Sequence, residues 1–423
     1  MPDHTIWHHL DIAAGLKAAL SGPRGRALLS FSLGPVQAFI EAARTVRDLW
    51  AGSMLLSWLT FRGMLPVIEQ YGPTALVFPS LRGVPLVDLW LREQVGLRRV
   101  PRPLPELLRS PCLPNRFLAV VPWGLDGAES HALAQRCQEA VRPAWCGLAG
   151  KVRSAIEQKL GSAAAGFPGW DHLWDQQIQG FFSVTTAVLP LASCGDEQMG
   201  HLLGGDSFEA VFPESAAVRK LAEAIPEQDR PGYDQGKAYD QATAGRWQAQ
   251  LEVSARLMEA SRAIRHLPPS TQQTPVPGKC SLMGIFEQMG PASLEESPRF
   301  WETMAGQVRI GPDRIRKRER LCAVALTKRF APQFLAGELK MNEQELRTPD
   351  TATVAAAKWL EQARKSGYDL DPQKVRQQHG DWSGQWLFWS KSDQEDDEDP
   401  VPEEVWKAIK EARSDKRLDP PPA

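Results

Sequence analysis

The sequence has no excess charge of either sign. Over 423 residues the formal charge is −2, so any nucleic-acid contact has to come from a local basic patch rather than from the surface as a whole. No run of 18 apolar residues occurs, and no membrane span is expected. The opening MPDHTIWHHLDIAAG lacks a basic stretch followed by an apolar core, so it is not expected to act as a secretory leader. Cysteine is sparse: six residues, at 112, 137, 146, 194, 280 and 322, are too scattered for a disulfide framework. A reduced, cytoplasmic setting is the expectation.

What is present is an ordinary globular share of apolar residues, 43%, and 15 tryptophans. The length suffices for two or three domains. The most informative stretch is 28–59, LLSFSLGPVQAFIEAARTVRDLWAGSMLLSWL. An apolar run from Leu28 to Leu33 meets Gly34-Pro35. Then Val36, Phe39, Ile40, Ala43, Val46, Trp50, Met54 and Trp58 take up the spacing of an amphipathic helix. A strand over 27–33 is expected to run into a helix over 35–70, bent at Gly52. Strands are expected at 74–80, 115–122 and 181–191, with a helix over 127–161 before the last. That order is a split βαβ, ferredoxin-like α+β arrangement of four antiparallel strands with two helices on one face.

The remainder divides by composition. Residues 1–26 read as a lead-in helix, 27–195 as the ferredoxin-like domain and 196–269 as a helical region whose clearest helix ends at Pro268-Pro269. Residues 270–345 hold short segments and the basic run RIRKRER. Residues 346–423 hold a helix, a tryptophan-rich segment with Trp382, Trp386 and Trp389, and a tail that is acidic, then a short charged helix, then three prolines, read as a linker.

Several groups invite a chemical reading. The junction after Gly34-Pro35 exposes the first N–H groups of a helix, and Arg44, Arg47, Asp48, Gly52 and Ser53 follow it, so an anion or nucleotide is a candidate ligand. The bland reading makes Arg44 and Asp48 an i, i+4 ion pair worth tenths of a kcal/mol. Gly204-Gly205-Asp206 is followed by Ser207, so the second carboxylate of a cyclase-type turn is missing and a plain turn is expected. Cys280 and Cys322, about 40 residues apart, have the offset of two C-x-x-C pairs that each lack one cysteine. Zinc needs four ligands, so a metal-free remnant with both thiols packed as small apolar groups is expected. His4, His8, His9 and Asp11 have partial ligand spacing but too few companions for a metal site.

The stretch GPVQAFIEAARTVRDLWAGSMLLSWL resembles the first palm segment of the large subunit of type III CRISPR–Cas effector complexes, in the Cmr-type (III-B) form. The likeness continues through PDHTIWHHLDIAAGL, LPNRFLAVVP, FFSVTTAVLP, SRAIRHLPPS with GKCSLMG, RERLCAVALTKRF and RTPDTATVAAAKWLE. The resemblance implies a cyclase- or polymerase-like palm followed by a helical region and a degenerate zinc-ribbon-like element. An N-terminal HD nuclease and a second palm with a Gly-Gly-Asp-Asp turn, both common in the family, are not found between residues 1 and 423.

From the resemblance follow a nucleotide cleft near Gly34, Arg47, Asp48, Gly52 and Ser53, and RNA or subunit contacts at Arg314, Arg316, Lys317, Arg318 and Arg320. The implied partners are other Cmr-type subunits, CRISPR guide RNA and target RNA, in antiviral defence. The expected role is scaffold and binding component, without catalysis by this chain alone. The alternative is half of a cyclic-oligoadenylate synthetase completed by a second palm on another chain. ATP with Mg²⁺ and zinc belong to the family; for the isolated chain no cofactor is expected, and calorimetry is expected to find no ATP site below the millimolar range.

Overall fold

The computed structural model describes residues 5–19, 25–161, 169–191, 196–229, 245–264, 278–293, 295–311, 313–342, 345, 351–370 and 403–418. His4, Cys194, Trp382, Trp386, Trp389 and the acidic stretch of the tail lie outside them. The chain divides into two units that interleave in sequence. The first takes Met1–Val36, Leu55–Gly147 and Gln179–Gln273; the second takes Gln37–Met54, Leu148–Ile178 and Thr274–Ala423.

The first unit is built on a four-stranded sheet. Its strands are β1 (Arg26–Gly34), β2 (Leu76–Phe78), β3 (Arg116–Pro122) and β4 (Ser183–Pro190), in the order β2-β3-β1-β4. Every adjacent pair is antiparallel. With helix Val46–Tyr71 between β1 and β2 and helix Ala128–Leu160 between β3 and β4, this is the split βαβ connection that the order of elements predicted. β1 is the central strand and is buried on both faces, which accounts for its unbroken apolar run. Side chains alternate along it. Phe31 stacks on Phe117, with ring centroids 4.5 Å apart. On the same face Gly63 lets helix Val46–Tyr71 come close: a Cβ there would meet Phe31 at 2.7 Å and Val141 of the second crossing helix at 3.4 Å.

The opposite face carries more than the sequence predicted. Leu28, Val120 and Leu189 pack with Met199, Phe208, Phe212, Ala249 and Val253, and Ser30 Oγ meets Ser254 Oγ at 2.7 Å. Helix Arg246–Ala263 and the short helices before it therefore form a second layer on the sheet. Helices on one face only is corrected to helices on both: a central strand with Leu28 on its other side has to be covered there too.

The helix expected over 35–70 is two helices, Gln37–Glu41 and Val46–Tyr71. The break falls at 42–45, and Gly52 lies inside a continuous helix. Thr45 Oγ1 accepts the N–H of Asp48 at 3.1 Å, and Asp48 Oδ2 accepts those of Arg44 and Thr45 at 3.1 and 3.3 Å. This reciprocal arrangement is a capping box with Asp in the acidic position. Helix Val46–Tyr71 is long and apolar enough to cross a membrane, but 83% of its apolar window is buried within the protein.

In the second unit the segment read as short, ribbon-like pieces contains two helices, Glu296–Gln307 and Ala323–Glu338, and a two-residue hairpin of β5 (Arg309–Ile310) and β6 (Asp313–Arg314). Helix Ala323–Glu338 is buried from Ala323 through Pro332, so it has no amphipathic stripe to announce it. Near the C-terminus, helix Glu403–Ser414 is a packed element rather than the end of a linker. Val405, Ile409 and Ala412 close a core with Ala356, Trp359, Leu360 and Ala363 of helix Thr351–Lys365.

Candidate functional site

The polar cluster at 44–53 lies in the second unit over a buried network of charges. Arg329, 6% exposed, forms a fork on Asp48, with Nε to Oδ1 at 3.0 Å and Nη2 to Oδ2 at 2.8 Å. Its Nη1 donates to Glu319, which is fully buried. Arg47 forms a second fork on Asp313, at 2.5 and 3.0 Å, and Gln333 donates to the same carboxylate at 3.3 Å. Lys328 Nζ donates to the carbonyls of Phe39, Ile40 and Ala42, at 2.5, 3.1 and 2.8 Å. These are the orphan acceptors where the short helix Gln37–Glu41 stops.

The electrostatics follow from burial and pairing. Burial raises the Asp48 carboxyl, but the hydrogen bonds and charge of Arg329 outweigh it and hold the group below its ordinary range. Burial holds Asp313 above its ordinary range, although Arg47 pulls the other way. Burial lowers Lys328 to about 8. Buried charges are tolerated when every one is paired and hydrogen-bonded, and removing one partner strands the other.

This geometry locates the residues of the expected nucleotide cleft. Arg47 and Asp48 are bound to Asp313 and Arg329, so Asp48 pairs with Arg329 rather than with the Arg44 side chain one turn away. Gly52 faces Lys328: a Cβ would lie 2.8 Å from Cε and 3.1 Å from Nζ. The glycine makes room for a lysine stem. Ser53 Oγ donates to the Leu49 carbonyl at 3.2 Å. Gly34 ends β1 and precedes Pro35 through a cis peptide bond. The helix after it, Gln37–Glu41, is too short to present the extended helix N-terminus that the sequence reading assumed.

Above the network, residues 314–320 form a basic turn. Arg316, Lys317 and Arg318 are exposed, and Arg314 and Arg320 are half-buried. Arg318 adopts a left-handed φ of 67°. Glu319 holds the turn from beneath, accepting the Arg316 N–H at 2.8 Å while its own N–H donates to the Arg316 carbonyl at 3.1 Å. Exposed Arg309 stands opposite Arg314 in the hairpin, and Arg44, 44% exposed, lies 3.9 Å from Glu319. Beneath the turn, Glu319 and Asp313 point inward to Arg329 and Arg47. Arg309 escaped the sequence reading; its pairing with Arg314 across the hairpin brings it beside the basic run.

The two separated cysteines do meet. Cys280 Sγ accepts the N–H of Cys322 and of Met283, both at 3.3 Å, and Cys322 Sγ accepts that of Ala325 at 3.4 Å. The hydrogen bond from Cys322 draws the Cys280 thiol down, whereas burial and then that same neighbour push Cys322 up. Among the described residues no group of three or more Cys, His, Asp or Glu is arranged to hold a metal. Two thiolates do not fill a tetrahedral shell, so the described residues do not fit the zinc that the resemblance implies.

In the first unit Gly204 turns with φ 74° and Ser207 caps the following short helix, accepting from Ala210 N at 3.2 Å. Asp11 forms a fork with Arg82 at 2.5 and 3.0 Å, and both line a cavity of about 480 Å³ together with His8 and Asp88.

Comparison with known proteins gives this geometry a class. Residues 28–150, from β1 through most of helix Ala128–Leu160, match the family described as CRISPR-associated protein Cmr2, N-terminal. A CRISPR system Cmr subunit Cmr2 of Pyrococcus furiosus is 33% identical over 142 residues, which is 33% of this chain and 14% of that protein. The Cmr2 subunit of Saccharolobus solfataricus is 32% identical over 102 residues, 23% of this chain and 10% of that one. A chain in the cryo-EM structure of a type III-B Cmr-beta complex in its apo state superposes with a TM-score of 0.52 at 17% identity, covering 88% of this chain and 40% of that one. At that identity the likeness shows a shared fold.

Over residues 28–150 the chain is similar to the N-terminal part of the Cmr2 subunit of CRISPR systems. The matches cover about a seventh or less of the curated relatives' own length.

Proposed function

We propose that this chain serves as the N-terminal, first-palm portion of the large subunit of a type III-B RNA-guided interference complex in antiviral defence. In this reading it is a scaffold that contacts RNA and neighbouring subunits. The observation that carries it is the Cmr2 match across β1, β2 and β3 and the two crossing helices. The sheet and those helices are read as the palm, and 278–342 as the remnant of the zinc element. The working setting is the cytoplasm, with other Cmr-type subunits, guide RNA and target RNA as partners.

The RNA contact is assigned to the turn at 314–320. Arginine and lysine on a turn held rigid from beneath suit phosphate, which positions RNA without reading its sequence. Glu319 and Arg329 supply the rigidity, and Arg316, Lys317 and Arg318 supply the charge. The test is anisotropy of a labelled unstructured RNA with the full chain across a salt series. Replacing Arg316, Lys317 and Arg318 by alanine should weaken binding for every sequence and flatten the logarithmic salt slope by about 0.7 per lost phosphate contact. Unchanged affinity and slope, or failure of the chain to co-purify with Cmr-type subunits and guide RNA, would refute the assignment.

A further inference from the structure

We propose that Cys280 and Cys322 are a peroxide-sensing thiol pair that closes to a disulfide, stapling the segment at 278–293 to the start of helix Ala323–Glu338. This goes beyond the RNA-binding reading and does not depend on it.

The two segments are already joined on either side of the sulfurs. Ser281 N donates to Arg320 O at 2.7 Å, Met289 N to Leu321 O at 2.8 Å, and Arg320 N to Ser281 Oγ at 3.1 Å. A disulfide needs Cα atoms within about 7 Å, and these bonds hold the two segments side by side at the cysteines. The Cys322 N–H lies 3.3 Å from Cys280 Sγ. Gln177 fixes the same junction, donating to Glu287 O and accepting from Ala323 N, each at 2.8 Å. Two thiols brought together without a third metal ligand among the described residues are poised for oxidation instead of coordination.

Burial means that oxidation waits on local opening of the 278–293 segment and needs a small oxidant. Cys280 is 3% exposed and Cys322 0%, which suits hydrogen peroxide rather than a bulky disulfide. In the first step the Cys280 thiolate attacks one peroxide oxygen. An S–O bond forms, the O–O bond breaks, and hydroxide leaves with the Cys280 proton as water. In the second, the Cys322 sulfur attacks the sulfenic sulfur. The S–S bond forms, the S–O bond breaks, and hydroxide leaves with the Cys322 proton as a second water. Two thiols are oxidised and one peroxide is reduced. The basic turn at 314–320 lies inside the loop so closed, so oxidation would tether its base.

The experiment treats the full, dithiothreitol-reduced chain with hydrogen peroxide, alkylates it in denaturant and maps the peptides. The expected result is one cross-linked pair joining Cys280 to Cys322, a mass lower by two hydrogens, and a raised unfolding midpoint, all reversed by dithiothreitol. In Cys322→Ser the reaction should stop at a dimedone-trappable sulfenic acid on Cys280. The mapping needs only the unsubstituted chain, so misfolding of the variant does not rescue the idea. The proposal is overturned if, after peroxide treatment of the folded chain, both cysteines are still alkylated in denaturant. Links scattered over all six cysteines would overturn it too, as would stoichiometric zinc whose removal is required before any oxidation.

Discussion

In the first unit the interior beside β1 is Leu28, Val120 and Leu189 closed by Phe208, Phe212 and Val253. In the second, the interior beside Asp48 is Arg329, Glu319 and Lys328, with Arg47 and Asp313 at its edge. The two interiors respond differently to damage. An apolar core loses contact area in proportion to what is removed and partly relaxes around the gap. A paired charge network is close to neutral while intact, and loses heavily when one member goes, because the partner is left desolvated. The first interior stabilises by adding area, the second by allowing one set of partners.

The largest expected effect tests that asymmetry. Arg329→Met leaves Asp48 and Glu319 without their shared cation and should cost about 3–5 kcal/mol in urea unfolding. Asp48→Asn with Arg329→Met should cost clearly less than the two single changes added. Leu28→Ala in the sheet core is expected to cost about 2–5 kcal/mol and to be additive with either. Additivity within the charge network would erase the comparison.

A pH effect comes next. Lys328 is held at about 8 in the folded chain by burial, against about 10.4 unfolded. Between those values the unfolded chain keeps a proton that the folded chain has released, so stability attributable to Lys328 rises with pH. Relative to Lys328→Met, the natural chain should gain about 3 kcal/mol at most from pH 8 to 10.5. Parallel stability curves for the two proteins would show that the lysine stays charged on its carbonyl cage.

The smallest effect sharpens the role of Gly52. Gly52→Ala sets a methyl against Lys328 Cε and should cost about 1–3 kcal/mol by overpacking. In Lys328→Ala, where the stem is gone, the same change should cost less than in the natural chain. Equal costs would mean the glycine serves something other than the lysine's passage.

Much of the first unit could be read directly. The run Leu28 to Leu33 announces a strand buried on both faces, and the order of strands and helices allows few sheet topologies. The second helical layer was less legible, because which helices cover a sheet face depends on how the chain folds back. The capping box was also written in the sequence, as Thr45-Val46-Arg47-Asp48, but the long apolar stripe through it argued for one continuous helix. At the break, Lys328, nearly 290 positions away, takes carbonyls that a continuous helix would use internally.

Local pattern therefore determined the strands, the crossing helices, the turn at Gly204 and the basic run at 314–320, since each depends on periodicity or on residues a few positions apart. The tertiary structure alone decided that Arg47 and Asp48 face Asp313 and Arg329, that Gly52 yields space to Lys328, and that Cys280 reaches Cys322. Charge pairing and sulfur contact depend on distance in space, and a buried charge accepts whichever partner the fold delivers. Nothing within a few residues of Asp48 announces the guanidinium that neutralises it.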